Sequence, residues 1–306
     1  MEAIVAIVGF LGAGKTTLLQ HLTKGYIDAG WQPFVILNDY ENASLDAQQL
    51  TEHLAPQWVQ ALNGSCICCS GINELREFVN GIPERPKGIT LIEANGTSDA
   101  CRLMGFLGVG IDDRFLPPVQ ISVVDVKNWQ QRGAHNELEA SQVQVSSLIL
   151  LTHLDQALAQ RKAEVIGALN ELNPQAQILE FDGVDLMALP QLAPSSNNAA
   201  AIEHQKAHWA SCSTELPSLP DEHCIHELCQ RLPNSLLRVK GCTQIGDGSG
   251  YRYFERGPDG QVSTRDFYGE PVAGAKLLAV GPGSQPAVLD KAIAAVLLTA
   301  ADRLSG

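Results

Sequence analysis

Gly9, Gly14, Lys15 and Thr16 stand at the spacing G-x-x-x-x-G-K-[ST] within the run Gly9-Phe10-Leu11-Gly12-Ala13-Gly14-Lys15-Thr16-Thr17. A loop that wraps a polyphosphate must turn its backbone N–H groups inward, and glycine permits that approach because it carries no Cβ. Gly9, Gly12, Ala13 and Gly14 are therefore expected to line the phosphates. Lys15 would reach the β and γ positions, the Thr16 hydroxyl would meet Mg²⁺, and Thr17 would lie near the α phosphate. The competing reading is a glycine-rich turn with an incidental lysine. The apolar run Ala3 to Val8 before the loop and the amphipathic segment after it argue against that reading.

A second cluster is Cys66, Cys68 and Cys69, inside Asn63-Gly64-Ser65-Cys66-Ile67-Cys68-Cys69-Ser70-Gly71. Thiolates at this spacing can converge on one tetrahedral ion, with Zn²⁺ the default and Cu(I) the soft alternative. A vicinal redox pair and buried inert cysteines are the competing readings. Three local thiols leave the shell incomplete, which suits a site that hands metal on better than a closed structural site.

Carboxylates form the third group. Asp39, Glu41 and Asp46 follow the expected strand Pro33 to Leu37, and Glu93 follows the expected strand Gly88 to Ile92, with Gly96 three residues later. Ligands of an open α/β sheet gather at the carboxyl ends of its strands. Asp39 and Glu93 are thus candidates for holding Mg²⁺ or positioning an attacking water, and the Gly96 N–H for meeting the γ phosphate. Asp125 ends another expected strand. Asp155 follows the strand 147–151, where its carboxylate would accept from guanine N1 and N2.

These residues need a scaffold that brings strand ends together. Apolar runs of strand length alternate with helical segments up to residue 180, which predicts a mainly parallel sheet flanked by helices. Beyond it the pattern changes to helix, several strands and helix, a smaller α+β unit. The expected division is 1–189 for the first domain, 190–212 for a linker carrying His204 and His208, and 213–306 for the second. Within the second, His223, Cys224, His226 and Cys229 fall on more than one face of one helix, which disfavours a metal site there.

Composition narrows the classes. A chain of 306 residues with 45% hydrophobic and 18% charged residues suits a globular protein. Its 34 acidic against 21 basic residues, formal charge -13, weigh against nucleic acid and anionic membrane surfaces as partners. No window reaches the roughly 18 apolar residues of a membrane span, and no charged n-region precedes an apolar stretch, so a cytoplasmic location is expected.

The combination resembles the CobW-like family of P-loop GTPases, associated with metal insertion and with zinc or cobalt handling. The residues that carry the resemblance are Gly9 to Thr17, Asn38-Asp39, Cys66-Ile67-Cys68-Cys69, Glu93-Ala94-Asn95-Gly96, Asp125 and Asp155, with Arg238-Val239-Lys240-Gly241 in the second domain. The family's usual Asn-Lys-x-Asp stands here as Thr152-His153-Leu154-Asp155. The resemblance implies a nucleotide-binding domain with an internal metal site and a C-terminal domain that recognises a client. The expected function is hydrolysis of GTP with Mg²⁺, coupled to binding Zn²⁺ or another divalent transition metal and delivering it to a client metalloprotein; homo-oligomers are compatible with the sequence. Two alternatives are a nucleotide-gated regulatory module for a metalloenzyme and a P-loop small-molecule kinase.

Overall fold

The computed structural model describes residues 1–38, 54–62, 72–195, 211–236, 238–246, 250–257, 260–271, 274–281 and 284–305. They fall into two compact units, one within 1–195 and one within 211–305.

The first unit alternates strand and helix: β1 (Ala3–Val8), α1 (Lys15–Asp28), β2 (Gln32–Asn38), β3 (Val59–Leu62), α2 (Ile72–Gly81), β4 (Gly88–Glu93), α3 (Ala100–Leu107), β5 (Val119–Asp125), α4 (Asn136–Gln144), β6 (Leu148–Thr152), α5 (Ala159–Leu172) and β7 (Gln177–Glu180). The strands form one parallel seven-stranded sheet in the order β3-β2-β4-β1-β5-β6-β7. Every residue of β1, β4 and β5 is buried, which explains why these strands read as continuous apolar runs rather than as alternation. Ile4, Ala6 and Val8 of β1 pack with Leu75 and Val79 of α2 and Leu103 and Leu107 of α3. Val124, Ile149 and Leu151 pack with Val143 of α4 and Val165 and Leu169 of α5.

Register decides what the sheet presents. Ile7 pairs with Glu93, Val8 with Ser122, and Asp125 with Thr152. The chemically distinctive residues therefore leave the sheet along one edge, the carboxyl ends of its central strands. At the other end of β1, buried Glu2 accepts from Arg85 Nη2 at 2.7 Å and Arg114 Nη1 at 3.0 Å. This network ties the start of β1 to the segments entering β4 and β5, away from the phosphate loop.

The second unit holds β8 (Ser211–Glu215), α6 (His223–Arg231), β9 (Arg238–Gln244), β10 (Tyr251–Arg256), β11 (Val262–Phe267), β12 (Lys276–Val280) and α7 (Pro286–Ser305). Its strands pair antiparallel in the order β11-β10-β9-β12-β8. Ile225 and Leu228 of α6 and Leu289 and Val296 of α7 share a core with Val239, Phe254 and Leu277 of the sheet. Buried Arg256 donates to the carbonyls of Cys229, Leu232, Pro233 and Leu236, so one guanidinium ties the last turn of α6 to the segment that leads into β9. Cys224 and Cys229 are buried in this core while His226 is exposed, in agreement with the expectation that this group spreads over different faces. Strand β8 is one the sequence pattern does not announce. Ser-Cys-Ser-Thr-Glu offers a single apolar side chain, Cys212, and the segment is a strand because it pairs along β12. Among the described residues, no helix is long and apolar enough to cross a membrane.

Candidate functional site

The loop between β1 and α1 folds as its glycines require. Gly9 has φ 146°, and a Cβ there would lie 2.5 Å from the Val123 carbonyl oxygen, so no other residue fits. Gly14 caps α1 in the left-handed region with φ 97°. No side chain caps this helix end and no acid occupies its first turn, so its positive dipole end is not neutralised from within the helix. The first intrahelical bond runs from Leu18 N–H to Gly14 O at 3.0 Å, leaving the preceding N–H groups at the open end of the helix. Lys15 is 4% exposed, and its Nζ donates to Phe10 O at 3.2 Å across the loop. An enclosed ammonium beside an uncapped helix end forms a concentrated positive site for an anion.

Thr16 and Glu93 meet beside it. Thr16 Oγ1 donates to Glu93 Oε1 at 2.9 Å, and Glu93 is 7% exposed. The chain leaves β4 through Ala94, whose N–H donates to Ile7 O at 2.9 Å and so continues the β1–β4 pairing. It then presses against the phosphate loop, because a Cβ on Gly96 would sit 2.8 Å from Leu11 N. Asn95 Oδ1 accepts from Thr97 N at 3.2 Å, Asp99 Oδ1 from Arg102 N at 3.0 Å, and Gln142 Nε2 donates to the Gly96 and Ser98 carbonyls, each at 3.1 Å. The segment from Glu93 to α3 is thus clamped on both sides.

Asp125 does not face the loop alone. Its Oδ2 accepts from Asn128 Nδ2 at 2.8 Å and from Arg132 Nη2 at 3.1 Å. Arg132 also lies 3.5 Å from Glu139 Oε1 and stacks 4.9 Å above the Phe10 ring. Burial pushes the Glu139 carboxyl above its ordinary range, against the Gln130 N–H bond and the Arg132 charge that act to lower it. Burial likewise holds the nearby His135 imidazole below its ordinary value. Arg132 therefore ties the end of β5 to the second residue of the phosphate loop.

The loop after β6 grips the same backbone. Thr152 Oγ1 donates to Ala13 O at 2.8 Å, and His153, at φ 55°, places Nε2 3.1 Å from Gly12 O, where the tautomer protonated at Nε2 donates. Asp155 follows in a short 3₁₀ turn, Leu154–Gln156, with its carboxylate exposed.

The structure thus brings Gly9, Gly12, Ala13, Gly14, Lys15, Thr16, Glu93 and Gly96 into one region, with Thr17 on the exposed side of the first turn of α1 and Asp155 at the adjoining loop. Asp39, Glu41, Asp46, Cys66, Cys68, Cys69, His204 and His208 lie outside the described residues. Among the described residues, no group of three or more metal-ligating side chains could hold an ion. Asn128, Arg132, Glu139 and Gln142 are contributors that motif spacing misses, because each acts through a contact formed only when strands and helices pack.

A parallel sheet with a glycine-rich loop between its central strand and an uncapped helix, and with acids at the adjoining strand ends, defines a P-loop nucleotide-binding protein. Residues 3–180 match the family model described as CobW/HypB/UreG, nucleotide-binding domain, and the chain belongs to that family. It is 30% identical over 193 residues to "Zinc chaperone YjiA" of Escherichia coli K12, covering 60% of this chain and 59% of the relative. It is 25% identical over 215 residues to "Zinc-regulated GTPase metalloprotein activator 1" of Dictyostelium discoideum, covering 58% and 45%. A match to "Zinc chaperone CobW" of Pseudomonas aeruginosa is 25% identical over 294 residues and covers 79% and 76%. The chain thus spans less than two thirds of the length of the first two relatives.

Proposed function

We propose that this protein is a Mg²⁺-dependent GTPase that binds zinc, or a related divalent transition metal, and uses the nucleotide state to control its delivery to a client metalloprotein. The observation that carries the nucleotide half is the 2.9 Å bond between Thr16 and Glu93 beside the uncapped end of α1. A hydroxyl and a carboxylate meeting at the mouth of a phosphate loop are hard oxygen donors of the kind Mg²⁺ takes. Thr16 and Glu93 would hold the ion, which when bound neutralises charge on the phosphates.

The remaining chemistry belongs to the chain. Lys15 exchanges the Phe10 carbonyl for phosphate oxygens, the loop N–H groups orient the triphosphate, and Gly96 brings a backbone N–H to the γ phosphate. Asp39 joins Glu93 as a candidate for orienting the attacking water. Thr152 and His153 hold the Ala13 and Gly12 carbonyls outward, which leaves the loop's N–H groups facing the ligand. Asp155 reads guanine through two charge-assisted hydrogen bonds.

The zinc half rests on Cys66, Cys68 and Cys69 together with the names of the relatives, two of which are called zinc chaperones and one a zinc-regulated GTPase metalloprotein activator. Zinc is cargo in this reading, taken up by thiolates and released to the client. Phosphate release from GTP and ATP, with and without Mg²⁺, tests the reaction. GTP should turn over in preference to ATP, and Asp155→Asn should narrow the difference by about 1.5–3 kcal/mol. Equal turnover of both nucleotides would remove guanine selectivity, and no turnover of either with Mg²⁺ would remove the hydrolase.

A further inference from the structure

One side of α3 borders a cavity of about 440 Å³. Its walls are mainly apolar, with Met104, Leu107, Ile111, Phe115, Leu116 and Val145 among them. Leu107 and Phe115 belong to the buried core, so the floor is fixed, while Gly105, Gly108, Asp112 and Asp113 line the cavity as exposed residues and set its mouth at solvent. The cavity runs along α3 from Cys101 to Gly108, and none of its lining residues belongs to the phosphate loop or to the Glu93–Gly96 segment.

We propose that this cavity is a docking pocket for a segment of a partner protein that presents one apolar side chain beside a lysine or arginine. Three features select that occupant. The walls match an aliphatic or aromatic side chain, and Val109, 65% exposed, extends the apolar surface beyond the mouth. The charge at the mouth is acidic: among the described residues, Asp112 pairs with Arg114 Nε at 3.9 Å and Asp113 makes no ion pair. The mouth also lies at the carboxyl end of α3, where the helix dipole favours a cation. A small apolar ligand would use the walls and leave the acids and Val109 unexplained.

The pocket deepens the delivery reading, which requires a client that docks, and it rests on that reading for its biological meaning. The mechanical link is α3. Gln142 holds the Gly96 and Ser98 carbonyls, Asp99 caps the first turn of the helix, and the helix itself lines the pocket through Cys101, Met104, Gly105 and Leu107. A shift of the Gly96 segment with nucleotide state therefore reaches the pocket through one rigid element.

The chain has three methionines, of which Met104 alone lines the cavity, so ¹³C-methyl methionine NMR on the full chain reads the site directly. The probes are the capped peptides Ala-Lys-Leu-Lys-Ala, Ala-Glu-Leu-Glu-Ala and Ala-Lys-Ala-Lys-Ala. The Met104 signal should shift saturably with the first and hardly with the others, and Asp113→Asn should weaken the first by about fivefold. Gly105→Leu should abolish the shift without unfolding the protein, because a Cβ at Gly105 meets nothing within 4 Å and leucine favours the helix. Equal shifts with all three peptides, no shift with the first, or unchanged binding to a folded Gly105→Leu variant would overturn the proposal. So would a Met104 shift that follows protein concentration alone and vanishes in Gly105→Leu, which would assign the pocket to a second copy of the chain. Displacement of a fluorescent GDP analogue separates the two readings: peptide discrimination in a chain that binds no nucleotide removes the GTPase reading alone, and loss of discrimination with nucleotide binding intact removes the pocket alone.

Discussion

Thr16 Oγ1 donates to Glu93 Oε1 at 2.9 Å and joins the first turn of α1 to the end of β4. The two residues are far apart in sequence, and the β1–β4 register, with Ile7 opposite Glu93, brings them together. Each is a ligand candidate for the same ion, so their effects should not add. Thr16→Val and Glu93→Gln should each lower the turnover of GTP by about 10²-fold, and the double variant should lose little more than either alone. A double-mutant cycle on kcat is the measurement. Strict additivity would mean that the two side chains act at separate places.

Gly96 is expected to tolerate no side chain. A Cβ at 2.8 Å from Leu11 N must displace backbone of the phosphate loop, so Gly96→Ala should cost about 1–3 kcal/mol and weaken triphosphate binding. Gly105→Ala is the control, since nothing lies within 4 Å of its Cβ and alanine stabilises a helix by up to about 1 kcal/mol. Urea denaturation of the two variants should move the midpoint in opposite directions.

Arg132 is surrounded by two buried carboxylates and the Phe10 ring, with only 7% of its side chain exposed. Arg132→Met should cost about 3–5 kcal/mol at neutral pH by leaving Asp125 and Glu139 without their cation. The pH dependence has a definite sign. Burial already raises Glu139 above its ordinary value, so the stability tied to its protonated form is present below that ordinary value and lost as pH rises through the folded one. Removing Arg132 raises Glu139 further, and the deficit of the variant should shrink as pH falls. A deficit that is constant from pH 7 to 5 in calorimetry would contradict this arrangement.

In the second unit the opposite case holds. Burial acts to raise Glu255, but the Arg238 and Lys240 charges and the 2.7 Å bond from Arg238 Nε prevail and bring its pKa to about 2. The stability it contributes, about 3 kcal/mol by linkage, is therefore present above the ordinary carboxyl value and lost as pH falls towards 2. Hydrogen exchange of β9 and β10 amides should show protection falling over that window, and Glu255→Gln should flatten the fall.

The phosphate loop and the central strands were legible because their signals are local: fixed glycine spacing, continuous apolar runs, and acids one residue beyond a strand. The parallel sheet and the smaller α+β unit followed from the same patterns. What escaped depends on pairing across distance. Strand β8 carries no apolar periodicity and exists through its partner β12. Arg132 reads as a surface charge until β5, α4 and the phosphate loop pack around it, and Gln142 reads as a helix amide until Gly96 and Ser98 arrive beneath it.

In the proposed mechanism, nucleotide state and metal affinity are coupled. Coupling between sites is a free energy and acts in both directions, typically about 1–3 kcal/mol, or roughly 5–150-fold in affinity. The most direct test is a Zn²⁺ titration of the full chain, once with GDP and once with a non-hydrolysable GTP analogue, with the triple substitution of Cys66, Cys68 and Cys69 by serine as the reference. Zn²⁺ affinities at least about fivefold apart are expected in the two nucleotide states, with tight binding lost in the triple variant while nucleotide binding survives. Equal Zn²⁺ affinity in both states would rule the coupling out.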